Sequence, residues 1–241
     1  MILEVTRVSN SPLATKYIPS PNNSGPRKMP IDRITPHCVV GQATAESICN
    51  GFKPRSRKAS CNYAIGFNGD IALCVDEGKR SWCSSSNAND QRAVTIECAS
   101  DTIHPYKMTD AVWQSLITLC ADICKRNWKK KLLWFPDKDT ALSYNPKSDE
   151  MVLTVHRWFA AKECPGDWLY YRLAGLASVV TASLDTSAES RYYTYMVKKG
   201  DTLWGIASRE LGKGQKYMDI MKLNQMTSIT IRPGDLIKIP K

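Results

Sequence analysis

Three residues of the 241-residue chain carry donor atoms that zinc prefers. His37 opens an apolar, strand-like run, His37-Cys38-Val39-Val40; His156 follows a second run, Met151 to Val155; Cys164 lies eight residues further on, directly before Pro165-Gly166. Zinc takes imidazole and thiolate ligands tetrahedrally. Structural sites fill all four positions, whereas catalytic sites use three protein ligands and leave the fourth for water. Two imidazoles and one thiolate therefore read as an open site. A metal in it would lower the pKa of bound water towards neutrality and polarise a carbonyl. Taken singly these residues are bland, because a strand histidine usually packs in a core and a lone cysteine behaves as a small buried hydrophobe.

The elements that must position them follow from apolar spacing. Residues 12–36 are rich in Pro, Asn, Ser and Gly and read as a loop. Tyr63 to Phe67 and Ile71 to Val75 flank Asn68-Gly69-Asp70, which predicts a β-hairpin. Ala93 to Cys98 is a further strand. Thr109 is a good N-cap for a helix carrying Val112, Leu116, Leu119, Cys120 and Ile123 at spacings of three and four. A last helix after Asp167 presents Leu169, Leu173, Leu176, Val180 and Leu184. Strands interleaved with helices predict an α/β fold, a sheet covered by helices.

Composition shifts at Thr181 to Arg191, a small-residue polar stretch that reads as a linker. Beyond it, Tyr193 to Val197 is a strand, and Leu203 to Leu211 is a helix with Gly212 at its C-terminus. Met218, Met221 and Leu223 mark a second helix, and Leu236 to Ile239 a closing strand after the turn Pro233-Gly234-Asp235. The expected organisation is a domain over 1–184, a linker over 185–192 and a small βααβ domain over 193–241.

Net charge is +10, and residues 191–241 carry ten Lys/Arg against four Asp/Glu, a net +6. Such a balance suits an anionic partner. No basic stripe interleaves with aromatics, so nucleic acid is not expected. No apolar stretch is long enough to span a bilayer, so no membrane insertion is expected. Nine cysteines, an odd number set mostly within apolar patterns, read as buried free thiols of a reducing compartment. Strand alternation turns Cys38 and Cys98 away from their neighbours' face. Cys120 and Cys124 read as core, and His104 as a surface residue. The N-terminus shows no apolar signal region, which points to a cytoplasmic product.

Several of these pieces occur together in one family. Thr35-Pro36-His37, the hairpin Asn62 to Asp70, the strand Val94-Thr95-Ile96-Glu97, and His156-Arg157 with Lys162-Glu163-Cys164-Pro165-Gly166 resemble the zinc-dependent N-acetylmuramoyl-L-alanine amidases. That family includes phage endolysins and shares its fold, a mixed central sheet flanked by helices, with peptidoglycan recognition proteins. The resemblance covers about the first 180 residues. It implies that His37, His156 and Cys164 hold Zn2+. It implies that Tyr63 faces the metal and steadies an oxyanion, or else packs in the core; that Lys162 binds the substrate carbonyl oxygen, or else is a solvated loop lysine; and that Glu97 orients or deprotonates the attacking water, or else anchors a loop. Cys83 departs from the histidine that many relatives carry after the Trp equivalent to Trp82, although Trp82 still suits a groove wall. The implied reaction is hydrolysis, by zinc-activated water, of the amide joining N-acetylmuramic acid to L-alanine.

Residues 193–240 resemble a LysM domain, through Tyr195 to Ala207, Leu223-Asn224 and Ile231 to Pro240. The resemblance implies binding of glycans that contain N-acetylglucosamine. The contacts would be Gly200, Asp201, Thr202 and Leu203 facing Asn224, Ile229, Thr230 and Ile231; Leu203 and Ile231 could equally support only the fold. Together the two domains suggest a monomeric endolysin that stays in the host bacterial cytoplasm until released to the cell wall. A non-catalytic peptidoglycan-binding recognition protein is the alternative, and Cys164 argues against it. A secreted bacterial autolysin would need a signal, and a muropeptide-recycling amidase would need no wall anchor.

Overall fold

The computed structural model describes residues 10–184 and 192–241. The chain divides into two compact units, residues 1–184 and 185–241. The predicted linker, apart from Tyr192, falls outside the described residues.

Among its described residues the first unit has nine strands: β1 (Lys16–Tyr17), β2 (Asn23–Pro26), β3 (Arg33–Cys38), β4 (Tyr63–Ile65), β5 (Ile71–Leu73), β6 (Lys79–Ser81), β7 (Ala93–Cys98), β8 (Lys131–Leu133) and β9 (Glu150–Leu153). Seven of them form one sheet in the order β1-β5-β4-β7-β3-β9-β8, and β2 pairs separately with β6. Neighbours run parallel except for the β4–β5 hairpin, which is antiparallel. The sheet is therefore mixed, as expected. The helices are α1 (Ala45–Gly51), α2 (Asn87–Arg92), α3 (Asp110–Arg126), α4 (Lys138–Ser143), α5 (Asp167–Tyr170) and α6 (Leu173–Leu184). Helix α3 starts where its cap predicts, with Thr109 Oγ1 accepting from the Val112 amide. It buries Val112, Leu116, Leu119, Cys120, Ile123 and Cys124. The single helix expected after Asp167 is two, α5 and α6, but all five residues of its apolar stripe are buried. Thr181 Oγ1 ties α6 to β8 by accepting from the Leu132 amide at 2.9 Å.

Residues 12–36 are not the loop that their composition suggests. They supply β1, β2 and most of β3. Short edge strands pair through the backbone and need no apolar alternation, so composition hides them. Strand β3 is buried at all six positions, as a strand covered on both faces must be. Pro36 is tolerated in this central strand because β9 pairs with β3 only at Arg33 and Ile34 before diverging. Parallel strands that part at their carboxyl ends open a crevice there.

A buried polar knot holds that divergence in place. Thr35 Oγ1 meets Thr154 Oγ1 at 2.7 Å, and Asn89 of α2 bridges both, donating to Thr35 at 3.0 Å and accepting from Thr154 at 2.9 Å. Thr35 and Thr154 each lie two residues before a histidine of interest. Asn89→Leu should cost about 1–3 kcal/mol of stability, because it removes two buried hydrogen bonds and leaves the Thr35 and Thr154 hydroxyls with only each other; denaturant unfolding measures this.

The second unit is the predicted βααβ module. Strand β10 (Tyr192–Met196) pairs antiparallel with β11 (Leu236–Pro240), and α7 (Leu203–Leu211) and α8 (Tyr217–Leu223) lie between them in the chain. Its core is Val197, Leu203, Ile206, Ala207, Ile220, Ile237 and Ile239. Gly212 ends α7 in the left-handed conformation, at φ 75°. A side chain at Gly214 would collide with the Trp204 ring, 2.2 Å from where its Cβ would stand.

Candidate metal centre

His37 stands near the carboxyl end of β3, and Glu97 pairs with it in register near the end of β7. His156 begins a short 3-10 turn just beyond β9, and Cys164 follows on the next loop. Three separate chain segments thus deliver His37, His156 and Cys164 to the crevice, and their donor atoms all lie within 4.8 Å of one another. The His37 Nδ1 to Cys164 Sγ distance is 3.3 Å. Two ligands of one tetrahedral zinc, at Zn–N and Zn–S lengths of about 2.0 and 2.3 Å, would be about 3.5 Å apart. The donor set and its spacing therefore fit zinc.

The electrostatics fit as well. Burial, helped by the neighbouring His156, pushes His37 down to about 3. Burial and then the Lys162 charge lower His156. Both imidazoles are thus neutral, the form that binds metal. The Cys38 thiol and burial push the Cys164 thiol well up, so without a cation it keeps its proton. His37 Nε2 is buried and has no hydrogen-bond partner. His156 Nε2 meets Ser85 Oγ at 2.9 Å, which fixes that ring's rotation.

Glu97 lines the cleft beside these groups. Its Oε1 accepts from the Cys83 thiol at 3.6 Å, while its Oε2 is buried and unpaired. Burial pushes the carboxyl up to about 7 against the opposing effects of Cys83 and Arg57. His37, Cys83 and Glu97 also place one donor atom each within 4.8 Å. Lys162 lines the same cleft. The cleft that holds these groups has a volume of about 790 Å³, and a second of about 520 Å³ adjoins it and is walled by Trp82.

Tyr63 is not there. It pairs with Ile96, whereas its neighbour Ala64 pairs with Glu97. Because side chains alternate across a sheet, Tyr63 projects from the face opposite His37 and Glu97. Its hydroxyl donates to Glu77 Oε1 at 2.7 Å and accepts from the Ser11 amide at 2.7 Å, and Glu77 is paired with Arg126 of α3. The expected oxyanion role is corrected to a buried structural tie. Tyr63→Phe should therefore lower stability by about 1–3 kcal/mol and leave kcat unchanged; denaturant unfolding and steady-state kinetics separate the two effects.

Cys38 also departs from expectation. Alternation would turn it from the site, yet β3 ends at this residue and the thiol sits beside Cys164 in the cleft. The remaining cysteines are free and buried. His104 is exposed and meets Asp167 at 3.0 Å. Ser85, Cys38, Cys83 and Arg57 were not picked out as site residues by sequence reasoning. Of these, Cys83 carried a signal, the histidine it replaces; the Ser84-Ser85-Ser86 run carries none.

In the second unit, Leu203 is only 2% exposed, and Ile231 packs against the same core. Leu203 is thus a core residue and not a ligand contact. Gly200 makes a positive-φ turn, and Asp201 accepts from the Tyr195 hydroxyl and the Lys198 amide, each at 2.8 Å. Thr202 caps α7 through the Gly205 amide at 3.0 Å. Asn224 bridges to Lys238 on β11, donating to its carbonyl and accepting from its amide, each at 2.8 Å. Ile229 and Thr230 are exposed.

Residues 27–167 match the family model described as N-acetylmuramoyl-L-alanine amidase, and residues 195–240 match that of the LysM domain. A curated relative, N-acetylmuramoyl-L-alanine amidase sle1 of Staphylococcus epidermidis, is 37% identical over 76 residues, covering 32% of this chain and 22% of that protein. The chain thus spans about a fifth of the length of that relative. Among solved structures, an endolysin N-acetylmuramoyl-L-alanine amidase from Clostridium intestinale aligns at a TM-score of 0.45 and 16% identity, covering 67% of this chain and 95% of that one. The Ph2119 endolysin from a Thermus scotoductus bacteriophage aligns at 0.45 and 14%, covering 67% and 99%.

Proposed function

The chain belongs to the N-acetylmuramoyl-L-alanine amidase family, whose model its residues 27–167 match, and from that premise we propose that it is a zinc-dependent peptidoglycan hydrolase of the endolysin type. It cuts the amide between N-acetylmuramic acid and the L-alanine of the stem peptide. The observation that carries the reading is the convergence of His37, His156 and Cys164 in an open cleft, with an unpaired carboxylate oxygen of Glu97 beside them.

Zinc held by these three residues would supply a Lewis acid for the amide carbonyl and an acidified water. The chain's own groups do the rest. Glu97, held near neutrality by burial, takes the proton of the attacking water at its free Oε2 and passes it to the departing alanine nitrogen. Lys162 donates an N–H to the carbonyl oxygen as that oxygen becomes negative. Cys83 holds Glu97 Oε1 and leaves Oε2 without a partner. The LysM domain, with a net +5 charge over residues 193–241, keeps the enzyme on the wall and raises the local concentration of scissile bonds.

Digestion of purified peptidoglycan tests this. The expected product is new N-terminal alanine, lost on chelation and restored by zinc. New reducing sugar ends would contradict the reading.

A further inference from the structure

The cleft has two unlike arms that meet at the candidate metal ligands. The first has an apolar wall of Val39, Val40, Ala43 and Ile48, with Glu163 as a charged group of its own. The second alone is lined by the cations Lys58 and Arg80, with Asp90 as an acidic group. Phe52, Arg57, Glu97, His156 and Lys162 line both arms, so a substrate reacting at the metal extends into each.

The cations of the second arm are not neutralised by the protein. Among the described residues none of Arg57, Lys58, Arg80 and Lys162 forms an ion pair. Asp90 does not serve them, because its carboxylate is taken up by the Cys83 amide at 3.0 Å, the Ser84 amide at 3.1 Å and the Ser84 hydroxyl at 2.6 Å. Arg80 donates to Asn87 and Ser24, both neutral, while its Nε is buried without a partner. Arg57 and Lys58 are exposed, and the Arg57 guanidinium lies 5.9 Å from the Phe52 ring. A concave wall of unpaired cations with low-dielectric sides concentrates anions.

We propose that this arm is the stem-peptide subsite and selects a peptide whose residue after L-alanine bears a free carboxylate over one bearing the carboxamide; the inference rests on the amidase reading above. The two parts of the substrate differ in the way the two arms do. The peptide carries the carboxylates, while the sugar is neutral and offers apolar ring faces. The scissile amide then lies across the ligands with the sugar towards Val39 and Ile48 and the peptide towards Lys58 and Arg80.

The test compares two synthetic substrates on the full zinc-loaded chain, muramoyl-L-alanyl-γ-D-glutamyl-L-lysine and the same tripeptide with the glutamyl α-carboxylate as its carboxamide, so that the γ-carboxyl is taken up in a peptide bond in both. An exposed charge-assisted contact gives about a two- to fivefold preference in kcat/KM for the acid. That preference shrinks as salt is raised. In the double variant Arg57→Gln, Lys58→Gln, both positions being exposed, it falls to near one. Equal cleavage of both substrates by the wild type, or a preference that survives both the variant and high salt, overturns the inference and leaves the amidase reading intact. Cleavage of neither removes the amidase reading itself. A wild-type ratio near one, combined with activity that depends on Arg57 and Lys58 only on walls bearing phosphate polymers, would assign the arm to those polymers instead and overturn the inference.

Discussion

His156→Ala is expected to abolish peptidoglycan cleavage while leaving wall binding intact. With His156 gone, one of the two imidazoles is lost, and the neighbouring Cys38 thiol and Glu97 carboxylate do not restore a set of two histidines and one thiolate. The ordered contact of Ser85 Oγ with His156 Nε2 is lost at the same time. Lewis-acid stabilisation is worth several kcal/mol, and each 1.36 kcal/mol is a decade of rate, so a fall of about 10³ to 10⁴ in kcat/KM is expected. Binding should persist because the LysM unit has its own core, separate from the core around β3 and β7. Co-sedimentation with insoluble walls reads binding, and release of N-terminal alanine reads hydrolysis. A variant that still cleaved at the wild-type rate would remove His156 from the metal site.

Glu97→Gln carries the second large effect. The amide is nearly isosteric, can keep the Cys83 contact at Oε1, and cannot take a proton. If Glu97 moves protons, kcat falls by about 10² to 10⁴ while KM and bound zinc stay close to wild type. If it only anchors a neighbouring loop, stability changes and kcat does not. Steady-state kinetics together with metal analysis of the same preparation separates these outcomes. The carboxylate's position supports the first: it stands in register with His37 at a strand end, with one oxygen buried and unclaimed.

The grouping of His37, His156 and Cys164 is legible through residue type and the family resemblance, and His156 sits where the apolar run Met151 to Val155 stops. The strand at His37 is less legible: the apolar run His37 to Val40 predicts a strand that begins at the histidine, whereas β3 runs from Arg33 to Cys38 and ends just beyond it. Tyr63 was not legible, because its face depends on which residue of β7 it meets. A shift of one residue in that register would have brought it to the metal, and nothing in the local sequence records the register. Cys38 is illegible for the opposite reason: strict alternation does not hold at the residue where the strand ends. The eight LysM contacts were carried over by position, and Leu203 shows the limit of that, since the same apolar side chain that marks the motif fills the module's core. The cationic arm was invisible because Arg57, Lys58, Arg80 and Lys162 come from three distant stretches of chain.

The central claim, that His37, His156 and Cys164 hold one catalytic zinc, is open to X-ray absorption at the zinc edge on the full chain. One zinc per chain is expected, with a single sulfur at about 2.3 Å, two imidazole nitrogens at about 2.0 Å and one further light atom. Cys164→Ser should remove the sulfur shell. A shell of three or four sulfurs, or one with none, would contradict the assignment.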